Sequence, residues 1–541
     1  MTPSTVRTHD YVIVGSGAAG SVLAGRLTED PSVSVLLLES GRERRSPLLG
    51  IPAAETVLMG NPRYDWCFET DADPTIDGRS VSIPRGRLLG GSNAINGMIF
   101  VRGQRQDYDD WARLGNPGWS WEGVLPYFRS MERAPEIGGE SRGRSGPINV
   151  ALPRERDELC DAFLAAAVKA GYQENPDYNS GDQEGFGYYQ VNHEDGRRSS
   201  AGRTYLKEAR KRPNLTLLTD AHVTGLRFDG TRCVGVDFRY QGAERRAGCG
   251  REVIVSAGTV QSPQLLELSG IGSRRVLGDA GVPVVHHLPG VGENFMDHFA
   301  ARLRWRVRQP ITFNERSRGL ALAREVAEYA RTRRGLLSLP IALGFGFVRT
   351  SEREERPDVQ FHFAPASYGE GASRRLDTRP GMTVGVYPLR PESRGSIHIR
   401  SRNPLTAPAI RPRFLDAEQD RAKLVEGMRI ARRIVEQPAV ERYRSFELVP
   451  GSDVRTDDEL LDYARAHGDT SYHPVGTCRM GDDPMAVVDE RLRVHGVHGL
   501  RVIDASVMPT MVSGNTNAAS MMIGEKGAAL VLEDHRRGSR T

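Results

Sequence analysis

The segment from Asp10 to Glu39 constrains this chain more than any other. Asp10 to Val14 (DYVIV) is a short continuous apolar run, as expected of a strand buried on both faces. It ends in GSGAAG, so Gly15, Gly17 and Gly20 form G-x-G-x-x-G. Ala18 to Leu27 then places Val22, Leu23 and Leu27 on one helical face, and a second apolar run, Val33 to Leu38, ends at Glu39. Strand, glycine loop, helix and strand open a βαβ unit. The first glycine permits the turn, the second lets backbone approach a pyrophosphate, and the third lets helix pack on strand. The helix start at Ala18 and Ala19 offers unpaired N–H groups to phosphate. Glu39, about 20 residues beyond the loop, sits where a carboxylate accepts hydrogen bonds from ribose hydroxyls. A dinucleotide is the expected ligand, and the loop alone does not separate NAD from FAD.

Two later runs resemble the first pair of strands. They are Glu252 to Ser256 (EVIVS) and Leu500 to Asp504 (LRVID), and the parallel sheet is expected to recruit both, which makes the nucleotide domain discontinuous. Residues 358–364 and 395–400 alternate apolar and polar, which suggests a separate antiparallel sheet. Residues 133–147 read as an exposed loop, and residues 316–334 as an amphipathic helix with a solvated basic face. The chain has 541 residues, of which 38% are hydrophobic and 26% charged, enough apolar material for several packed domains. A net charge of only +4, without a dense basic block, excludes a nucleic-acid partner. No stretch approaches the roughly 18 apolar residues of a membrane-spanning helix. The five cysteines are scattered and form no CxxC, so neither a disulfide framework nor a zinc site is expected. With no apolar signal segment ahead of the first strand, a cytoplasmic location is expected, with peripheral membrane contact left open.

Three separated motifs decide the cofactor. Gly86 to Met98 (GRLLGGSNAINGM), with Phe100, Gly103 and Asp109 beyond it, resembles the first signature of the glucose–methanol–choline (GMC) flavin oxidoreductases. Gly258 to Gly272 (GTVQSPQLLELSGIG) resembles the second, and Tyr472 to Thr477 with Asp504 to Pro509 and Asn515-Thr516-Asn517 resembles the family's catalytic segment. The resemblance spans about residues 10–535. It implies an α/β FAD-binding domain, a Rossmann-like parallel sheet of GMC type, over 7–155, 205–300 and 467–537. A loop or lid region lies within it at about 45–105. An α+β substrate-binding domain built on an antiparallel sheet would take 156–204 and 301–466. The implied FAD contacts are Gly15, Gly17, Ala18, Ala19, Gly20, Glu39, Leu89, Gly90, Gly91, Asn96, Gly97, Val223, Ala257, Asp504, Ala505, Asn515 and Thr516. Asn93 departs from the Gly, Ser or Thr usual at its position. Ile95 stands where some relatives carry a histidine bonded to the flavin, so non-covalent FAD is expected.

Oxidising an alcohol removes a proton from oxygen and a hydride from carbon; the cofactor takes the hydride, and the protein must supply a base and an orienting group. Imidazole suits the first task because its pKa lies near neutrality. The family's base maps to His473 in HPVGT, and its His or Asn partner to Asn517, an amide that can orient the substrate oxygen but not take its proton. Activity is then expected to rise with pH through an ionisation near neutrality. Tyr472 and His362, the latter in VQFHF, are candidates for the substrate pocket, with a core strand histidine the alternative for His362. His298, His467 and His495 default to structural roles. Cys478 reads as a small buried residue. Trp66 borders the adenine or the entrance, or simply packs.

The expected reaction is oxidation of a CH–OH group, a primary alcohol, to the aldehyde. A quinone-like or dye acceptor is expected, the alternative being an oxidase that uses oxygen and releases peroxide. Choline-oxidising relatives place a carboxylate near the substrate's ammonium; the matching slot here maps to Arg306, which would repel a cation. Choline is therefore expected to be a poor substrate, and neutral alcohols better ones. An NAD-dependent dehydrogenase and a non-catalytic flavoprotein are the rival readings, and the pairing of His473 with Asn517 weighs against the second.

Overall fold

The computed structural model describes residues 4–369 and 375–538. The first apolar run extends into the strand Ser4–Val14, and the glycine loop leads into the helix Ala18–Leu27 and the strand Val35–Glu39. Val12, Ile13 and Val14 pair in parallel with Leu36, Leu37 and Leu38 on one side and with Val253, Ile254 and Val255 on the other. The strand Leu500–Val502 joins in parallel beyond Val253 to Val255. Both distant runs therefore enter the sheet as the sequence predicts. A further parallel strand, Leu215–Thr219, closes the other edge against Val35–Glu39. The antiparallel strands Ala221–Asp229 and Arg232–Tyr240 complete a seven-stranded sheet.

The second large sheet is also seven-stranded, and every pairing in it is antiparallel. Its strands are Gly185–Tyr188, Phe299–Val307, Gly344–Val348, Val359–Ala364, Gly381–Pro388, Arg444–Val449 and the short Asp469–Thr470. One face packs on the helices Glu158–Lys169 and Glu418–Val435 through a core that includes Phe163, Phe361, Phe363, Val384 and Met428. The other face looks toward the glycine loop. One expectation is corrected here. Among the described residues, Ser396–His398 pairs only with Ala409–Arg411 and stays outside this sheet. Asp469–Thr470, just before His473, belongs to this sheet through Phe299–Val307.

The segment 133–147 is no simple exposed loop. It folds over a buried ion network in which Glu132 accepts hydrogen bonds from Arg102 Nη2 at 2.5 Å and Arg142 Nε at 2.6 Å. Arg142 Nη1 also reaches Asp177 at 2.8 Å. One carboxylate shared by two buried guanidinium groups explains why glycine-rich, charged sequence can still be tied down. The expected helix at 316–334 forms as Phe313–Arg316 followed by Gly319–Thr332. Among the described residues, no helix is long and apolar enough to cross a membrane. Glu132→Ala, which strands both guanidinium groups in the interior, should cost about 3–5 kcal/mol and lower the thermal midpoint of the holoprotein. An unchanged midpoint would show that the network carries no stability.

Candidate active site

A cavity of about 910 Å³ runs between the two sheets, from the glycine loop to His473. At one end stand Gly15, Gly17, Ala18, Ala19 and Glu39. Gly15 has φ +97°, and a Cβ there would meet Ser256 O at 2.5 Å, so only glycine makes this turn. Gly20 lies behind the wall, where a Cβ would strike Gly15 O at 2.0 Å; its role is helix-to-strand packing. A Cβ on Gly17 would meet no protein atom within 4 Å, so the loop is bare where it lines the cavity. Glu39 Oε2 accepts from Ser16 N–H at 3.0 Å and Ser16 Oγ at 2.6 Å, while Oε1 accepts from Gly41 N–H at 2.7 Å. Burial pushes its carboxyl above the ordinary value, and these donors oppose that shift. Trp66 and His222 also line this end, with ring centroids 5.8 Å apart.

Gly91, Asn96, Gly97, Val223, Ala257, Asp504, Ala505, Asn515 and Thr516 line the cavity further along. Leu89 and Gly90 do not: Leu89 packs on the nucleotide core, and Gly90 N–H bonds Ser16 O at 3.0 Å. Asn96 Oδ1 is held by Arg198 Nη1 at 2.8 Å and Met98 N–H at 3.1 Å, which leaves its Nδ2 donors for a ligand. Asp504 ties the second signature to the C-terminal segment, accepting from Gly258 N–H at 2.8 Å, Ser262 Oγ at 2.5 Å and Ser506 N–H at 2.8 Å. A bare glycine loop at a helix start, a carboxylate beyond it and a long cavity fit a flavin dinucleotide.

At the far end, His473 is gripped by Asp297 and His298. Its backbone N–H bonds Asp297 Oδ1 at 2.8 Å, and its Nδ1 lies 3.0 Å from His298 Nδ1. His298 Nε2 lies 2.8 Å from the Leu389 carbonyl, which can only accept, so His298 carries its proton on Nε2. Its Nδ1 is then a lone pair, His473 must donate from Nδ1, and His473 Nε2 is left as a base. Asn515 Nδ2 stands 3.0 Å from that nitrogen. Burial pulls His298 down to about 4 and His473 well below the ordinary value, so both rings are neutral. Burial pushes the Asp297 carboxyl up to about 7. Tyr472, which lines the cavity, turns the chain into His473 with φ +66°.

The expected partner of His473 is therefore corrected. Asn517 lines the cavity, but its Oδ1 accepts from Asn93 Nδ2 at 2.7 Å, and Asn515 meets the imidazole. The unusual Asn93 also accepts from Ala201 N–H at 2.6 Å, so it ties the Gly90-Gly91 segment to the starts of two helices, Ala201–Ala209 and Asn517–Gly538. His298, expected to be structural, fixes the tautomer of His473.

Asn515 is oriented in turn. Gln360 Nε2 donates to Asn515 Oδ1 at 3.2 Å and to the Tyr189 hydroxyl at 2.7 Å. Tyr189 OH lies 2.8 Å from His362 Nδ1, His362 Nε2 lies 2.9 Å from Tyr387 OH, and Tyr387 OH donates to Gln360 Oε1 at 2.7 Å. These four side chains close a head-to-tail ring if His362 is neutral with its proton on Nε2. Burial pulls His362 down to about 3, which keeps the ring neutral. His362 lines the cavity as a satisfied wall residue whose two nitrogens are already engaged. Cys478 is buried and its thiol is pushed well up by burial, so it is inert. His495 bonds the Gly481 carbonyl away from the site, and His467 lines the outer cavity.

Comparison with known proteins places the chain in a family. The two GMC oxidoreductase family models match residues 9–300 and 391–524. An oxygen-dependent choline dehydrogenase of Chromohalobacter salexigens is 41% identical over 96% of this chain and 94% of its own. One from Vibrio vulnificus is 41% identical over 97% and 94%. The crystal structure of pyridoxine 4-oxidase from Mesorbium loti superposes with a TM-score of 0.88 at 31% identity, covering 97% of this chain and 99% of that one. The chain belongs to the GMC oxidoreductase family and is an FAD-dependent alcohol oxidoreductase acting on CH–OH groups.

Proposed function

We propose that His473 is the base that removes the hydroxyl proton of a primary alcohol, with Asn515 as the donor that holds the alcohol oxygen. The observation that carries this reading is the run of contacts from the Leu389 carbonyl through His298 to His473, which assigns a lone pair to His473 Nε2 beside the Asn515 amide at the end of the dinucleotide cavity. FAD, when bound, supplies the hydride acceptor. The substrate hydroxyl donates to His473 Nε2, and Asn515 Nδ2 moves its hydrogen bond to the substrate oxygen as negative charge develops there. The imidazolium that forms keeps its Nδ1–H on His298, and burial makes its charge costly, which holds His473 neutral and free to accept the proton when substrate binds. Gly15, Gly17, Ala18, Ala19, Glu39, Gly91, Asn96, Gly97, Val223, Ala257, Asp504, Ala505 and Thr516 are the residues proposed to hold FAD. Ile95 in the cavity wall has no nucleophilic atom, which supports non-covalent attachment there.

The relatives' names carry choline as a substrate, and this chain's wall argues against a cation. Arg306 is not the reason. It pairs with Asp377 at 2.6 Å away from the cavity, whereas Ala300, Arg302 and Arg304 of the same strand line it. The proposed substrate is a primary alcohol without a fixed positive charge. Oxygen as the electron acceptor is a second reading, favoured over a quinone by the words "oxygen-dependent" and "oxidase" in the relatives' names. Peroxide formed in step with aldehyde would support it; dye reduction without peroxide would exclude it.

His473→Ala should retain FAD yet slow anaerobic flavin reduction by alcohol about 10²–10⁴-fold, the contribution of a positioned base. Asn515→Ala should cost about 10²-fold for one lost donor, and more than Asn517→Ala. Because only neutral imidazole accepts the proton and burial lowers the His473 pKa, the acid limb of kcat/KM should fall below the ordinary 6.5, not near neutrality, and vanish in His473→Ala. Wild-type reduction rates in His473→Ala would show that another group is the base.

A further inference from the structure

The substrate end of the cavity carries more positive charge than oxidation of a neutral alcohol requires. Along Phe299–Val307, the side chains of Phe299, Ala301, Leu303 and Trp305 enter the core, while Ala300, Arg302 and Arg304 line the cavity. Arg302 sits opposite Gly385, and Gly385 opposite His362; in the next row Arg304 faces Thr383, and Thr383 faces Ala364. Neighbouring strands lie about 4.8 Å apart, so Arg302 and His362 flank a bare strip of backbone. A Cβ on Gly385 would lie 3.7 Å from Arg302 Cγ and 3.9 Å from His362 Cβ, so glycine keeps this slot open.

The charges around the slot do not cancel. Among the described residues, Arg79, Arg85, Arg302 and Arg304 line this end, against one carboxylate, that of Asp469. Glu39 and Asp504 belong to the dinucleotide end, and Glu55 faces Gly97 and Arg198. Arg85 is answered by the nearby Asp297 and Asp65. Among the described residues, Arg79 and Arg304 donate to carbonyl groups, those of Arg465 and Gly468 and those of Tyr368 and Gly369. Arg302 Nη2 donates to the Thr470 carbonyl at 3.1 Å, and its Nη1 stands 3.9 Å from Asp469 Oδ2, beyond hydrogen-bond reach. Asp469 is engaged elsewhere, accepting from Tyr472 OH at 3.0 Å and Thr470 N–H at 2.9 Å. The Arg302 side chain remains 30% accessible, and among the described residues it has no other acceptor. Neutral His362, with both nitrogens bonded to tyrosines, forms the opposite wall without adding charge or competing for an anion.

We propose that Arg302, above Gly385 and backed by Arg304, binds a carboxylate at the far end of the substrate, so that the enzyme's alcohols are hydroxy acids. The guanidinium fork matches a carboxylate in a bidentate geometry, and the low-dielectric wall strengthens the pairing. The inference rests on His473 being the base of alcohol oxidation. It adds that the carboxylate sets the distance at which the CH–OH group reaches His473.

The test compares isosteric pairs on the FAD-loaded enzyme: 4-(hydroxymethyl)benzoate with 4-methylbenzyl alcohol, and 6-hydroxyhexanoate with 1-hexanol. In wild type the acid of at least one pair should have the higher kcat/KM, by about 10–100-fold, and choline should be worse than either. In Arg302→Leu that acid-to-neutral ratio should collapse toward one through KM, with part of it kept in Arg302→Lys. Arg306→Leu, whose side chain lies outside the cavity, should keep the ratio. 4-Methylbenzoate, which has no carbinol, should compete with 4-methylbenzyl alcohol in wild type and lose that competition in Arg302→Leu. Neutral alcohols reducing the flavin as well as or better than their acids, or a ratio unmoved in Arg302→Leu, would overturn the carboxylate subsite alone. Failure of every alcohol to reduce the flavin would overturn the alcohol-oxidising site, and the subsite with it.

Discussion

The chemical end of this molecule depends on one hydrogen bond between two buried imidazoles. His298 spends its Nε2 proton on the Leu389 carbonyl and so can only accept at Nδ1. His473 must therefore donate from Nδ1, and its basic nitrogen is turned to Asn515 and the cavity. A mobile imidazole in water would divide its population between two tautomers and many orientations. Here the orientation is settled before substrate arrives, and most of the reorganisation cost of proton transfer is removed in advance. The neighbouring Asp297 holds the same residue by its backbone N–H, so one dipeptide fixes both the main chain and the ring of His473.

Burial works in two directions around this bond. It keeps His298, His362 and His473 neutral, which a base and its supports need. It also strengthens the field of the guanidinium groups on the adjoining strand, where Arg302 and Arg304 project from the antiparallel sheet into the same cavity. The sheet register links these functions. His362, Gly385 and Arg302 lie side by side across three strands, and His362 belongs to the ring through Tyr189, Tyr387 and Gln360 that orients Asn515. A single sheet thus orients Asn515 beside His473 and carries Arg302 and Arg304 on the same cavity wall.

The parallel sheet was legible because its strands are short apolar runs, and the glycine spacing admits few backbone paths. Even Leu500–Val502, far away in sequence, was found by its composition alone. His473 was legible through the motif around it. What the sequence hid was partnership. Asn515 and Asn517 differ by two positions in a segment whose turn decides which amide meets the imidazole, and spacing cannot resolve that. His298 carries no local signal, because its role comes from Leu389, distant in the chain. Arg306 and Arg302 share a strand face, so counting alone could not say where the cavity ends along it. The loop at 133–147 was misread because glycine and charge suggest exposure, whereas Glu132 collects two of those charges inside.

The central claim is the tautomer of His473, and a neutron diffraction map of the deuterium-exchanged, FAD-loaded crystal tests it most directly. The account predicts deuterons on His298 Nε2 and His473 Nδ1, with His473 Nε2 bare and facing an Asn515 N–D. A deuteron on His473 Nε2 at neutral pH would contradict it, because the nitrogen assigned to accept the substrate proton would already hold one.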